Sequence, residues 1–200
     1  MKKAILFFLS CVIAGSLHAQ KLPCSNQIIY TSTPFKYSKD SMAIRKMTFT
    51  SIHAEKIRQF DFWIGEWEVF GPDGKKAGDS KITLILDSCV ILEEWTSASF
   101  QQGLRYAGKS FNTYNNLTKQ WQQTWVDNAG GSNEYLQGRF ENNQIIYTST
   151  PFKYSKDSMA IRKMTFTSIH AEKIRQFGEI SKDKGISWST EYDLEYRRKK

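Results

Sequence analysis

Residues 60–69 read Phe60-Asp61-Phe62-Trp63-Ile64-Gly65-Glu66-Trp67-Glu68-Val69. Phe60, Phe62 and Trp63 are too apolar to be left in water, since burying one such ring is worth roughly 1.5–3 kcal/mol. Gly65 lacks a Cβ, so the chain can turn sharply there or approach another strand closely. From Glu66 to Phe70 polar and apolar residues alternate, as in a half-buried strand. The stretch therefore reads as an apolar cap followed at once by a first β-strand.

Downstream, the same alternation returns in short runs separated by turn residues. Gly71-Pro72-Asp73-Gly74 and Asp87-Ser88 are turns by composition. Strands are predicted over 66–70, 80–86, 89–96, 104–114, 119–127, 134–140, 144–148, 160–167, 173–180 and 187–196, with a polar loop over 153–158. No amphipathic helix is predicted. About ten short strands joined by tight turns predict an all-β chain, an antiparallel up-and-down β-barrel. Alternation with polar residues on both faces suits a barrel with a partly wet interior.

Upstream, Met1-Lys2-Lys3, an apolar run from Ala4 to Gly15 and then Ser16-Leu17-His18-Ala19 have the make-up of a signal peptide over 1–19, cut after Ala19. The run is too short to span a bilayer. The expected location is periplasmic or secreted, with no membrane span. Export leaves Cys24 and Cys89, an even pair in an oxidising compartment, which predicts one disulfide; two unpaired thiols are the alternative.

Asn26 to Phe60 is identical, residue for residue, to Asn143 to Phe177, at an offset of 117. Structural repeats keep a pattern while their sequences diverge. A perfect copy is instead a very recent duplication or an error of gene assembly. The chain is expected to divide into the leader, an extension over 20–60 that holds the copy outside the barrel, and a barrel domain over 61–200. The copy also inflates the charge. The precursor carries +8; with the two leader lysines and one +4 copy removed, +2 remains. Nucleic acid is therefore not an expected partner, and no stripe of Lys and Arg interleaved with exposed aromatics appears.

Glu93 and Glu94 precede Trp95 in a predicted strand, so one points inward and one outward. A carboxylate facing a lumen would be desolvated and its pKa raised, as an acid or base requires; capping a barrel end, or a pair with Arg105 on the next strand, is the plainer role. Trp121, Gln123 and Trp125 share one face and either line an apolar pocket with one orienting amide or fill the core. Trp95 and Tyr106 complete the candidate ligand-binding set. His170 is the only histidine of the barrel and sits in an apparent hairpin turn, a poor place from which to hold a haem. No catalytic residue, metal ligand set or cofactor motif stands out. Ser181-Lys182-Asp183-Lys184-Gly185-Ile186-Ser187-Trp188 fits S-x-D-x-G-x-x-W and reads as a turn device.

Gly65-Glu66-Trp67 is similar to the first-strand G-x-W signature of lipocalins and other calycins. That resemblance implies that Trp67 closes one barrel end and that an Arg of the last strand, Arg197, packs on it. The longer F-D-F-W-I-G-E-W, Ser88-Cys89 leading to L-E-E-W, W-x-Q-x-W-V-D over 121–127 and the S-x-D-x-G-x-x-W turn together resemble DUF1579, a family of secreted bacterial proteins known mainly as a domain of unknown function. The resemblance covers roughly 60–197 and implies a calycin-like barrel without an assigned activity. The function expected is a non-catalytic exported barrel that binds a small hydrophobic or amphipathic ligand. A calycin-type enzyme using Glu93 or Glu94 with Tyr106 is one alternative, and a structural or partner-binding envelope protein another.

Overall fold

The computed structural model describes residues 28–31, 35–38, 41–43, 46–49, 53–101, 103–156 and 158–200. The signal peptide expected over 1–19 and Cys24 lie outside the described residues. The strands are β1 (Ile28–Thr31), β2 (Phe35–Ser38), β3 (Ser41–Ala43), β4 (Lys46–Phe49), β5 (Gly65–Phe70), β6 (Lys76–Ile85), β7 (Val90–Gln101), β8 (Leu104–Asn115), β9 (Gln120–Asp127), β10 (Ser132–Glu141), β11 (Gln144–Thr148), β12 (Phe152–Ser155), β13 (Ser158–His170), β14 (Lys173–Ser181) and β15 (Ser189–Arg198). A helix, α1, covers His53–Arg58, and a 3-10 turn covers Asp61–Trp63.

Ten of these strands close an antiparallel barrel in the order β5-β6-β7-β8-β9-β10-β11-β13-β14-β15, with β15 returning to β5. The all-β, up-and-down barrel expected from the alternation is the fold observed. Closure leaves no unpaired edge around the ring. The predicted polar loop over 153–158 is in part β12, a short strand that pairs outside the ring with the first residues of β13. Tight turns set the registers. Asn142 and Asn143, both at positive φ, join β10 to β11 in two residues, a geometry whose twist matches that of the flanking strands. The S-x-D-x-G-x-x-W segment joins β14 to β15 as a closed turn. Ser187 N–H donates to Asp183 Oδ1 (2.8 Å), Gly185 N–H to Ser181 Oγ (2.7 Å) and Trp188 Nε1–H to Gly185 O (3.2 Å). Hydrogen bonds from Ser187 and Ser181 hold the Asp183 carboxyl down to about 2.

One end of the barrel is packed solid. Phe60 stacks on Trp63 with ring centroids 4.9 Å apart and meets Trp121 and Phe166 edge-on at 5.7 and 5.1 Å. Trp67 Nε1–H donates to Trp63 O at 2.8 Å. Ile57, Phe60, Trp63, Trp67, Ile91, Trp121, Ile145, Tyr147, Phe166 and Ile174 are fully buried around them. The cap read from residues 60–67 is therefore a bung. Cys89, just before β7 at the same end, is disulfide-bonded.

The two copies share their pairings. Ile28 faces Phe49 in the β1–β4 ladder as Ile145 faces Phe166 in β11–β13, and β2–β3 repeats β12–β13 position by position. In the first copy these ladders are separate two-stranded sheets. The tails then part. His170 to Phe177 ends β13, turns and enters β14, whereas the identical His53 to Phe60 is α1 and a turn. In the second copy β13 and β15 flank β14 and satisfy its backbone. In the first copy the backbone is satisfied locally, and Ala54, Glu55, Lys56 and Arg58 are good helix formers. Ile57 and Phe60, three apart, lie on one face of the resulting turn. The expectation that the whole copy stays outside the barrel does not hold for these two residues, because the barrel end needs apolar rings and the helical period delivers them together.

Arg198, not Arg197, stacks on Trp67. The Arg198 guanidinium carbon is 4.3 Å from the Trp67 ring centroid, and Arg197 lies over Phe70 at 4.0 Å. The reason is parity. Tyr196 points inward, so Arg198, two residues on, does too, and Arg197 takes the outer face with Glu195. Arg198 also donates to Ala171 O (3.0 Å) and Ile64 O (3.3 Å), tying three chain segments at the bung.

Candidate functional site

The other half of the barrel is hollow. A cavity of about 470 Å³ opens at the end opposite the bung. Glu93, Trp95, Tyr106, Gln123 and Trp125, all anticipated from the sequence, line it, together with Asn133, Tyr135, Arg162, Met164, Gln176, Glu191, Tyr192, Leu194 and Tyr196. Trp121 does not. It lies four residues down β9 from Trp125, about 13 Å toward the bung, where it is fully buried and its indole N–H donates to Gln59 Oε1 at 3.2 Å.

The cavity floor is a buried polar layer. On β7, residues 91, 93, 95 and 97 face inward, which brings Glu93 into the lumen and leaves Glu94 outside, paired with Lys109 at 2.7 Å. Arg105, the partner considered from sequence, instead donates to Ser97 O at 3.1 Å. Glu93 is 3 % exposed. Ser80 Oγ donates to its Oε1 (2.9 Å), Ser110 Oγ to its Oε2 (2.9 Å), and Tyr196 Oη lies 3.2 Å from Oε1. The layer continues through Asn112, which accepts from Gln123 Nε2 (2.9 Å) and Tyr147 Oη (3.0 Å) and donates to Ser110 Oγ (3.0 Å). Burial pushes the Glu93 carboxyl up, with the three hydroxyl contacts acting in the opposite direction. Among the described residues no cation pairs with it.

Above the floor stands a collar of rings. Trp95 and Tyr106 meet edge-on at 5.6 Å, and Tyr106 and Trp125 are tilted at 6.4 Å. Tyr106 Oη donates to Asp127 Oδ2 at 2.9 Å, so the tyrosine beside Glu93 is Tyr196 and not Tyr106. Glycines seat the rings. A Cβ on Gly108 would collide with the Trp125 ring, and one on Gly178 with the Tyr192 ring. Each large ring thus lies flat against the bare backbone of a neighbouring strand. Burial raises the Tyr135 hydroxyl to about 12. At the mouth, Arg162 Nε donates to Glu191 Oε1 and Oε2 at 3.1 and 2.9 Å, and its Nη1 donates to Asn133 Oδ1 at 3.1 Å.

Sequence reasoning missed Ser80, Ser110, Asn112, Gln176, Tyr192 and Tyr196. The signal for the last two was present: Tyr192, Leu194 and Tyr196 alternate with charged residues in the closing strand. His170 is exposed in the β13–β14 turn, its Nδ1 accepting from Glu172 N–H at 3.3 Å. Among the described residues, no group of three or more His, Cys, Asp and Glu is placed to hold a metal ion, and no helix is long and apolar enough to cross a membrane. No protein-family model and no curated protein matches the chain.

Proposed function

We propose that this chain is an exported, non-catalytic barrel of the DUF1579 type whose lumen holds one small amphipathic molecule. The observation that carries the reading is the 470 Å³ cavity, open at one end only, with ring walls over a hydrogen-bonded polar floor. A concave, mostly apolar site with few convergent polar groups is what a small-molecule site requires. Export rests on the leader-like residues 1–19, and intact mass of the mature protein should place its first residue at Gln20.

Titration with N-phenyl-1-naphthylamine, a dye neutral at pH 7, tests occupancy of the lumen. Saturable fluorescence at one dye per chain is expected, with loss of binding when Leu194→Trp fills the cavity. A linear, non-saturating signal, or full binding by the filled variant, defeats the reading.

The enzyme reading keeps one observation in its favour, the buried Glu93 carboxyl beside the Tyr196 phenol. Binding is preferred because Tyr106, the tyrosine that the enzyme reading paired with the carboxylate, donates to Asp127 instead.

A further inference from the structure

Glu93 is a solvent-excluded acid on the floor of a hollow barrel, and among the described residues no cation faces it. The groups that face it are Ser80 from β6, Ser110 from β8 and Tyr196 from β15. The other ionisable residues of the lumen are tyrosines and the mouth pair, where Arg162 and Glu191 neutralise each other. Among the described residues the lumen therefore holds one acid without a counter-charge.

The hydrogen-bond inventory shows what state the floor rests in. Tyr196 has a single hydroxyl hydrogen. Its contact with Gln176 Oε1 is 2.6 Å and its contact with Glu93 Oε1 is 3.2 Å. The shorter contact takes the hydrogen, and a proton on Glu93 completes the longer one. The floor is satisfied as a carboxylic acid, in keeping with the cost of burying an unpaired charge.

Trp95, Trp125, Tyr106 and Tyr192 line the same cavity as the acid. Ring faces attract cations, and more strongly once water is excluded. Acid floor and ring collar have one ligand chemistry in common.

Resting on the lumen-binding reading, we propose that the ligand is a monovalent organic cation, an amine carried on an aromatic or aliphatic body, with its ammonium group set against Glu93 and its body within the ring collar. Glu93 is then the specificity-determining residue. On amine binding its proton leaves to solvent and the carboxylate accepts from the ammonium. An anion of the same shape would meet the acid floor with no donor of positive charge and is rejected.

Three probes of one shape separate the possibilities: tryptamine (a cation at pH 7), tryptophol (neutral) and indole-3-acetate (an anion), titrated calorimetrically into the whole protein. Tryptamine is expected to bind on the order of 10-fold more tightly than tryptophol, the low end of the coupling between close charge pairs, and indole-3-acetate more weakly than either. In Glu93→Gln the ratio of tryptamine to tryptophol affinity should collapse toward one. The wild-type ratio needs no variant, so it decides the matter even if Glu93→Gln fails to fold. Equal affinities for tryptamine and tryptophol, or a ratio unchanged in a folded Glu93→Gln, overturn the cation assignment while lumen binding stands. If none of the three probes binds and the neutral dye is also excluded, both readings fall together.

Discussion

Tyr196 on β15 reaches Glu93 on β7 across the lumen, Oη to Oε1 at 3.2 Å, while the same hydroxyl lies 2.6 Å from Gln176 Oε1. One phenol thereby ties a carboxyl on β7 to an amide on β14, the strand beside its own. Removing that hydroxyl takes away the donor to Gln176 Oε1 and one of the three hydroxyl contacts of Glu93. Tyr196→Phe is expected to cost about 1–3 kcal/mol. It should appear as a lower urea midpoint at unchanged slope. A midpoint within error of wild type would mean that the contact is not made.

Glu93 should make stability pH-dependent in a defined direction. Burial raises its folded pKa above the ordinary value of 4.5, with the hydroxyl hydrogen bonds pulling the other way. Between the unfolded and folded pKa values the native protein keeps a proton that the unfolded chain has lost. Stability is then fully present below pH 4.5 and falls as pH rises through the folded pKa. Glu93→Gln should remove this fall. Urea midpoints of both proteins between pH 4 and 8 must diverge toward high pH; parallel curves refute the assignment.

Phe60 and Phe177 stand at the same place in identical segments, yet one is in the bung and the other is half-buried on the outer wall under Arg175, 4.4 Å from its guanidinium. Phe60→Ala is expected to cost about 3–5 kcal/mol, as for a deleted core ring. Phe177→Ala should cost about 1 kcal/mol or less, the worth of an exposed cation–π contact. Thermal midpoints of the two variants measure the difference. Equal shifts would contradict the helical placement of the first copy's tail.

The two closing arginines make a similar pair. Arg198→Ala removes the stack on Trp67 and two donors to backbone carbonyls, and should cost about 1–3 kcal/mol. Arg197→Ala removes an exposed contact with Phe70 and an ion pair with Glu195, and should cost under about 1 kcal/mol. Denaturant unfolding of both variants checks the order, which the parity of β15 fixes.

Much of this architecture was readable in advance, because strand alternation and turn chemistry are local. The bounds of ten strands follow from where Asn, Asp, Gly and Ser interrupt the alternation. The inward placing of Glu93 over Glu94 was half readable, since parity says that one must face in but not which. The polar floor was not readable. Ser80, Ser110, Asn112 and Gln176 look like outward residues until a common layer gives them partners. Arg198 was missed by one residue, although counting in twos from Tyr196 would have found it. The helix at His53 could not be found from its own residues, since the same eight form turn and strand at His170. Tertiary surroundings decided between two locally acceptable states.

The identical tails also make the molecule ambiguous to mass spectrometry. Peptides spanning His53 to Phe60 and His170 to Phe177 have the same mass, so a hydrogen-exchange measurement reads both at once. One comes from a single helical turn and the other from a strand bonded on both sides, and amides in such settings open with different free energies. The isotope envelope of that peptide should therefore split into two equal halves in a fully native, homogeneous sample. Taken at face value, the pattern would signal two slowly exchanging conformers. Here it would report one conformer that spells the same eight residues in two ways.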